Sequence, residues 1–188
     1  MLAEIRIYYE GDKLLKSGFN QFFSELRNKA RAKRCEVILI AARNAPFRDF
    51  QKAVQTHPTA WNILLKDSEG PLSAAVCNLD GPADSIYWMV EMMESWFHAD
   101  KETLARWYGD RFNLNALKQN PNVEEISKKA LRDGLSAATK NTGKGDYFDH
   151  KASHGSQLLA MIDPDLVCKA APNCRKLFDA VLAKLAQP

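Results

Sequence analysis

Short apolar runs and longer segments of helical spacing alternate through the first ninety residues of the chain. Three runs rich in Ile, Val, Leu and aromatic residues are typical of buried strands: 3–9, 35–41 and 61–65. Two segments between them repeat apolar residues every three or four positions, as a helix does: 12–34 and 46–57. The second has Pro46 in its first turn. This order predicts parallel strands joined by right-handed crossovers, and therefore an open α/β sheet.

A fourth strand is predicted at about 86–90, where the letters IYWMV favour β structure, with a helix from about 92. A single long helix over 85–109 is the alternative, because periodicity alone does not separate the two. Between 70 and 85 the chain is rich in Gly, Pro, Ser, Asn and Asp, which predicts an unusually long loop. The expected sheet therefore has about four strands.

The second half of the chain is predicted to be helical. One helix is expected at about 124–139, then a Gly-, Lys- and Asn-rich loop, and two or three closing helices. Pro164 and Pro172 are interpreted as helix starts. The pattern indicates an α/β core over 1–109 and a helical extension over 110–188, packed together as one compact domain.

The composition is that of a globular protein, with 46% hydrophobic and 26% charged residues and no apolar run as long as a membrane span. Four scattered cysteines form no C-x-x-C pair and no signal peptide is recognisable, so we expect reduced thiols in a cytoplasmic protein. The net charge of +3 is mild. One basic run, RNKARAKR at 27–34, is either a solvated helix face or a phosphate contact.

Two of the predicted strands end in acidic residues followed by glycine, IYYEG at 7–11 and LLKDSEG at 64–70. The carboxyl ends of neighbouring parallel strands meet at one edge of a sheet, so Glu10, Asp67 and Glu69 are expected to converge. In an extended segment Asp67 and Glu69 point the same way. Converging carboxylates repel one another unless a cation lies among them, which predicts a site for Mg²⁺ or Mn²⁺. Loop acids that cap a helix or face water are the alternative.

These motifs, in this order, resemble the Toprim domain of topoisomerases, primases and OLD- and RloB-type nucleases. The segments IYYEG, LLKDSEGP, MVEMMESWFHAD and NPNVEEI are similar to those of a Toprim-like family of bacterial proteins, often encoded beside ATPases in phage-defence loci. The similarity covers about residues 4–180. It implies a Toprim-like open parallel sheet, with Glu10 as the Toprim glutamate and Asp67 and Glu69 as the D-x-D-type pair.

The same resemblance assigns further residues. Glu94 and Trp96 match an E-x-W motif that follows the fourth strand, and a basic K-x-x-Y…K loop is matched by three residues: Lys144, Tyr147 and Lys151. Glu91 is the rival of Glu94, and an exposed helix position is the alternative for both. One departure is Lys66, where members of that family usually carry an apolar residue. A lysine there either neutralises part of the carboxylate charge or points to the face opposite Asp67.

Other candidates carry weaker signals. Arg43 follows the second strand and is a candidate phosphate ligand, although arginine in such a loop is often plain surface. The segment 142–155 combines basic and aromatic residues, which suits a phosphate backbone with a stacked base, or equally a solvated loop. His150 and His154 are four apart, but no second pair supports a zinc site. Four tryptophans on apolar faces are expected in the core: Trp61, Trp88, Trp96 and Trp107.

These observations predict a Mg²⁺-dependent nuclease with Glu10, Asp67, Glu69 and Glu94 as its catalytic carboxylates. The resemblance implies an ATPase partner and an effector role in defence against phage, with DNA or RNA as the substrate. The alternative is a non-catalytic Toprim-like module that binds an ATPase or nucleic acid. No P-loop is present, so any ATP use would belong to the partner.

Overall fold

A computed structural model describes residues 2–43, 45–72 and 84–187. In this part of the chain four parallel strands form one open sheet, in the order β2-β1-β3-β4. The strands are β1 (Glu4–Glu10), β2 (Glu36–Ala42), β3 (Trp61–Asp67) and β4 (Ile86–Met89). This confirms the predicted α/β fold with a parallel sheet of about four strands, and it excludes a single long helix over 85–109. Of the loop predicted over 70–85, residues 73–83 lie outside the described residues.

Helices cover both faces of the sheet and continue to the end of the chain. The α-helices are α1 (Leu15–Phe22), α2 (Ser24–Ala32), α3 (Pro46–Thr56), α4 (Lys101–Tyr108), α5 (Lys128–Thr139), α6 (Lys151–Met161), α7 (Pro164–Ala170) and α8 (Pro172–Ala186). Longer 3₁₀ segments occupy Met93–Ala99 and Tyr147–His150. Pro164 and Pro172 begin helices, as predicted. No helix in the described ranges combines the length and the apolar character that crossing a membrane requires.

Three helical predictions differ from the structure in detail. The segment predicted as one helix over 12–34 is two helices that meet at Phe23, which caps both. The helix predicted from about 92 is a 3₁₀ segment, and regular α-helix begins only at Lys101, behind the N-cap Asp100. The helix predicted at 124 begins at Lys128, where the Ser127 side chain accepts the Ala130 N–H.

The two faces of the sheet are buried against different partners. Alternate residues of β1 and β3, such as Ile7 and Ile63, join a large core that also includes the C-terminal helices as far as Val181. The opposite face is covered by α3, whose Phe50 packs with Tyr8 and Leu64. Trp61, Trp88 and Trp96 are buried as predicted, whereas Trp107 is only partly buried.

The strand order fixes where a cleft opens. From β1 the chain moves outward to β2, and then it crosses back over β1 to reach β3 on the other side. The connections that follow β1 and β3 therefore leave the sheet in opposite directions. Open α/β sheets bind ligands in the crevice at such a point, outside the carboxyl ends of the strands.

Candidate active site at the carboxyl edge of the sheet

A cavity of about 290 Å³ lies at this crevice, beside the ends of β1 and β3. Carboxylates, cations and a short apolar wall line it: Glu10, Gly11, Asp12, Leu15, Arg43, Asp67, Met93, Lys151 and Ala152. Four predicted site residues, Glu10, Arg43, Asp67 and Lys151, thus share one cavity. Asp12 was not predicted; it forms an ion pair with Arg43 and accepts the Leu14 N–H at the start of α1.

Lys66 and Glu10 link the ends of β3 and β1. The Lys66 Nζ lies 3.1 Å from Glu10 Oε2 and donates to the Asp67 carbonyl at 3.0 Å. The same Glu10 oxygen accepts the Asp67 backbone N–H at 3.2 Å. The Trp88 ring centroid lies 5.8 Å from the ammonium, within the range of a cation–π contact. Of the two orientations left open by the sequence, Lys66 therefore adopts the one that partly neutralises a site carboxylate.

The surroundings of Asp67 disfavour its charged form. Burial is the largest cause, and the charges of Glu94 and Glu10 add to it, so that the pKa of Asp67 rises to about 8. The Lys151 charge and the Met93 N–H, which donates to Asp67 Oδ1 at 2.8 Å, act in the opposite direction. At neutral pH this carboxyl group therefore keeps its proton unless a cation binds beside it.

Glu94 is completely buried, with 0% of its side chain exposed. Its Oε1 accepts the Tyr147 hydroxyl at 2.8 Å and lies 3.0 Å from Lys151 Nζ. Burial and the neighbouring Glu94 raise the pKa of Tyr147 well above its ordinary value, so the hydroxyl remains a donor. The second Glu94 oxygen, Oε2, has no hydrogen-bond partner among the described residues. A buried carboxylate oxygen without a partner is costly, which makes this atom a candidate ligand for a cation.

Two 3₁₀ segments and α6 hold this group together. Glu94 is the second residue of the 3₁₀ segment that begins at Met93, whose N–H donates to Asp67. Lys151 is the first residue of α6. The close approach depends on Gly155, where a Cβ would lie 3.0 Å from the Tyr147 hydroxyl oxygen and 3.2 Å from Leu15 Cδ2. The packing of α6 across α1 thus positions the buried carboxylate.

Glu69 does not line the cavity. The strand ends at Asp67, and Glu69 has a left-handed backbone conformation with φ 62°. The segment is therefore not extended through Glu69, as it would have to be for the Asp67 and Glu69 side chains to point the same way. Its carboxylate pairs with Lys128 of α5 instead. Glu91 is 4% exposed rather than on a solvated face, and its Oε2 accepts the Lys128 N–H at 2.8 Å at the start of α5. Both acids therefore contact the helical extension.

The basic loop predicted around Lys144, Tyr147 and Lys151 contains a 3₁₀ segment at its centre, Tyr147–His150. Tyr147 is 0% exposed and inside the core, so it is unavailable for stacking on a base. Lys144 is outside the cavity lining and lies over the Trp107 ring at 4.8 Å. Lys151 is the one member of the three that reaches the cavity. Residue spacing does not predict this burial, because Tyr147 packs against residues that are distant in the chain, such as Glu94 and Phe97.

The basic run at 27–34 lies away from the cavity. Most of it forms α2, and Lys33 and Arg34 lead into the amino end of β2, at the opposite edge of the sheet. Arg27 has a structural contact, since its Nε donates to the Val37 carbonyl at 3.3 Å. The run is therefore largely a solvated face, separate from the candidate site.

The donor atoms at the cavity determine which metal ion could bind there. Among the described residues, no group of three or more His, Cys, Asp and Glu side chains is arranged to hold a metal ion, and this includes His150 and His154. Mg²⁺ makes smaller demands, because one or two carboxylates suffice when water and substrate phosphate complete its coordination. Asp67 and the unpartnered oxygen of Glu94 are the pair that fits this requirement.

The fold and the cavity define an α/β protein with a carboxylate–lysine site at the switch point of a parallel sheet. The chain belongs to the family described as a domain of unknown function, DUF4276, whose model matches residues 12–182. No curated protein and no solved structure matches the chain.

Proposed function

We propose that this protein is a metal-dependent nuclease that hydrolyses phosphodiester bonds in DNA or RNA. The observation that carries the proposal is the position of Asp67, a buried carboxyl group beside the charges of Glu94 and Glu10. Lys66 and Lys151 pair with Glu10 and Glu94, so Asp67 holds a proton at neutral pH, and a divalent cation can take the place of that proton. Such an arrangement favours a further cation, and the resemblance to Toprim nucleases favours the same function.

Asp67 and Glu94 would hold Mg²⁺ in this site, since Asp67 can exchange its proton for a cation and Glu94 Oε2 has no hydrogen-bond partner among the described residues. When bound, Mg²⁺ supplies a Lewis acid for the phosphoryl oxygen and lowers the pKa of water. The Arg43 guanidinium at the cavity wall suits a phosphate oxygen, and Asp12 holds it in place. Lys151 lines the same cavity, where its ammonium group would offset negative charge that develops on a leaving oxygen.

A cleavage assay in Mg²⁺ or Mn²⁺ tests the proposal. It uses plasmid, single-stranded DNA, total RNA and tRNA, and compares the wild type with Asp67→Asn. Loss of a ligand is expected to lower the cleavage rate by more than about 100-fold, beyond the range for outer-shell partners of a metal.

Asp133→Asn is the matched control, because Asp133 is an exposed aspartate of α5 that pairs only with the neighbouring Lys129. It is expected to cleave at the wild-type rate. Equal cleavage by the wild type and Asp67→Asn would contradict the proposal, as would cleavage that persists in excess EDTA.

A second candidate is a non-catalytic Toprim-like module that binds an ATPase or nucleic acid. The observation in its favour is that Lys66 and Lys151 already compensate Glu10 and Glu94 without a metal. Glu10→Gln separates the two functions: a nuclease would lose cleavage, whereas a binding module would have no cleavage to lose and would keep its partner.

The ATPase partner and the role in phage defence are further parts of this proposal that rest on the resemblance, and the cytoplasmic location is a part that rests on the scattered cysteines. Copurification with an ATPase encoded beside the gene tests the first of them. Retention of the ATPase by wild type and by Asp67→Asn alike would support a complex whose assembly is independent of the site.

A further inference from the structure

The two lysines of the site differ in how firmly they are held. Lys66 contacts a carboxylate, a backbone carbonyl and an aromatic ring, and its side chain is only 19% exposed. Lys151 makes one ion pair, with Glu94, and its side chain is 44% exposed. The first ammonium is therefore fixed between two strands, whereas the second can swing into solvent at the mouth of the cavity.

The carboxylates differ in the same way. Glu10 Oε2 already accepts from Lys66 and from the Asp67 N–H. A divalent ion bound at this oxygen would lie beside the Lys66 ammonium, and like charges at such short distance repel strongly. Glu94, by contrast, keeps its Oε2 without a partner among the described residues, and the half-exposed Lys151 pairs with the other oxygen, Oε1.

We propose, on the basis of the metal-dependent function, that Lys66 is a permanent cation in the place of a second metal ion. The protein then binds one divalent ion per chain, at Asp67 and Glu94, and this ion displaces the Lys151 ammonium. Lys66 thus determines the metal stoichiometry of the site.

The test is a Mn²⁺ titration of the full chain in the absence of nucleic acid. Binding is measured by calorimetry and by the electron paramagnetic resonance signal of free Mn²⁺. The wild type is expected to bind one ion. Lys66→Met frees Glu10 and is expected to bind two. Lys151→Met is expected to bind one ion about tenfold more tightly or better, because a charge within 4–6 Å changes ionic equilibria by about one to three powers of ten.

Lys129→Met is the control, since this lysine of α5 is 85% exposed and pairs with Asp133; it is expected to match the wild type. Circular dichroism checks the fold of each variant, and Lys66→Gln replaces Lys66→Met if the latter does not fold. Two ions in the wild type, or one ion in the folded Lys66 variant, would overturn the inference and leave the nuclease proposal intact. Absence of binding in every variant would instead refute the metal-dependent function itself.

Discussion

At the scale of single residues, Tyr147 and Glu94 form the most deeply buried polar contact of the candidate site. Both side chains are inaccessible to solvent, and among the described residues the hydroxyl and the Lys151 ammonium are the two groups that compensate the Glu94 carboxylate. Hydrogen bonds to charged groups are stronger than neutral ones, and leaving a buried acceptor unsatisfied adds a further cost.

Tyr147→Phe is therefore expected to lower the free energy of unfolding by about 1.5–3 kcal/mol. Urea denaturation at pH 7.5 measures the change. Tyr87→Phe makes the same chemical change at a solvent-exposed hydrogen bond to the Asp84 carbonyl, and should cost less than about 1 kcal/mol. Equal losses in the free energy of unfolding would show that the hydrogen bond to Glu94 stabilises the protein no more than an exposed hydrogen bond does.

The buried His98 is expected to make the stability of the protein depend on pH. Burial is the main reason why the pKa of this histidine falls to about 4, and the nearby Lys101 ammonium adds to the effect. In the unfolded chain the ordinary pKa is 6.5. As the pH falls, His98 therefore takes up its proton in the unfolded chain before it does so in the folded protein, and this stabilises the unfolded state. The contribution of neutral His98 to stability is present above pH 6.5 and is lost as the pH falls from 6.5 towards 4.

Between pH 7.5 and pH 5 the wild type is expected to lose about 2 kcal/mol more than His98→Gln, since one pKa unit corresponds to about 1.4 kcal/mol. Urea unfolding at both pH values measures the difference. His57→Gln, at a half-buried histidine after α3, should follow the wild type. A parallel decline in all three proteins would contradict the assignment to His98.

The residue-scale features were predictable only in part. Glu10 and Asp67 were identified because each follows an apolar strand, and parallel strands bring their ends together. The direction of Lys66 and the burial of Tyr147 were not predictable, because both depend on contacts more than 50 residues away in the chain.

At the scale of elements, the crossing of α1 and α6 supports the site. A Cβ on Gly18 would lie 2.4 Å from the Ser156 carbonyl oxygen and 2.8 Å from Leu159 Cβ. Alanine normally stabilises a helix by about 1 kcal/mol relative to glycine, but here the backbone of α6 would have to move. The same movement would shift Lys151, which begins α6.

Gly18→Ala is expected to destabilise the protein by about 1–3 kcal/mol, the usual range for overpacking. Thermal unfolding measures it, and Gly143→Ala serves as the control because nothing lies within 4 Å of a Cβ there. A more stable Gly18→Ala protein would mean that helix propensity outweighs the contact.

Elements with a simple pattern were predicted well, and those without one were not. The four strands of the described ranges were located, three of them because continuous apolar runs bounded by polar residues leave few alternatives. The fourth was predicted from the β-favouring letters IYWMV, with a long helix as the alternative. The 3₁₀ segment at Met93–Ala99 was predicted as a helix, since its spacing of apolar residues does not distinguish the two. The turn at Glu69 was missed because a left-handed glutamate carries no signal in the sequence.

At the scale of the whole molecule, one hydrophobic core joins the sheet to the last helix. Phe22 and Phe23 of the first half pack on Phe178 of α8, with ring centroids 5.9 and 5.4 Å apart. Residues near the end of the chain, Leu177 and Val181, are fully buried in this core. The division at residue 109 therefore does not correspond to two separate cores.

A chain that ends at residue 109 is expected to lack cooperative thermal unfolding and to bind the dye ANS, because the part of the core that α5 to α8 cover would be exposed. Near-ultraviolet circular dichroism and ANS fluorescence measure this. A chain shortened only by residues 187 and 188 should behave as the full protein does, since α8 ends at Ala186. A cooperatively folded 1–109 fragment would contradict the shared core.

The buried contact between Glu94 and Tyr147, with Lys151 at its exposed edge, has a consequence for how this family can evolve. Buried polar and ionic groups can often be replaced by well-packed apolar residues with no loss of stability, and sometimes with a gain. Under the proposed function, a lineage that no longer needs the site would therefore drift towards Leu and Phe at the two buried positions. Retention of Glu94 and Tyr147 together would then mark the members of the family in which the site is in use.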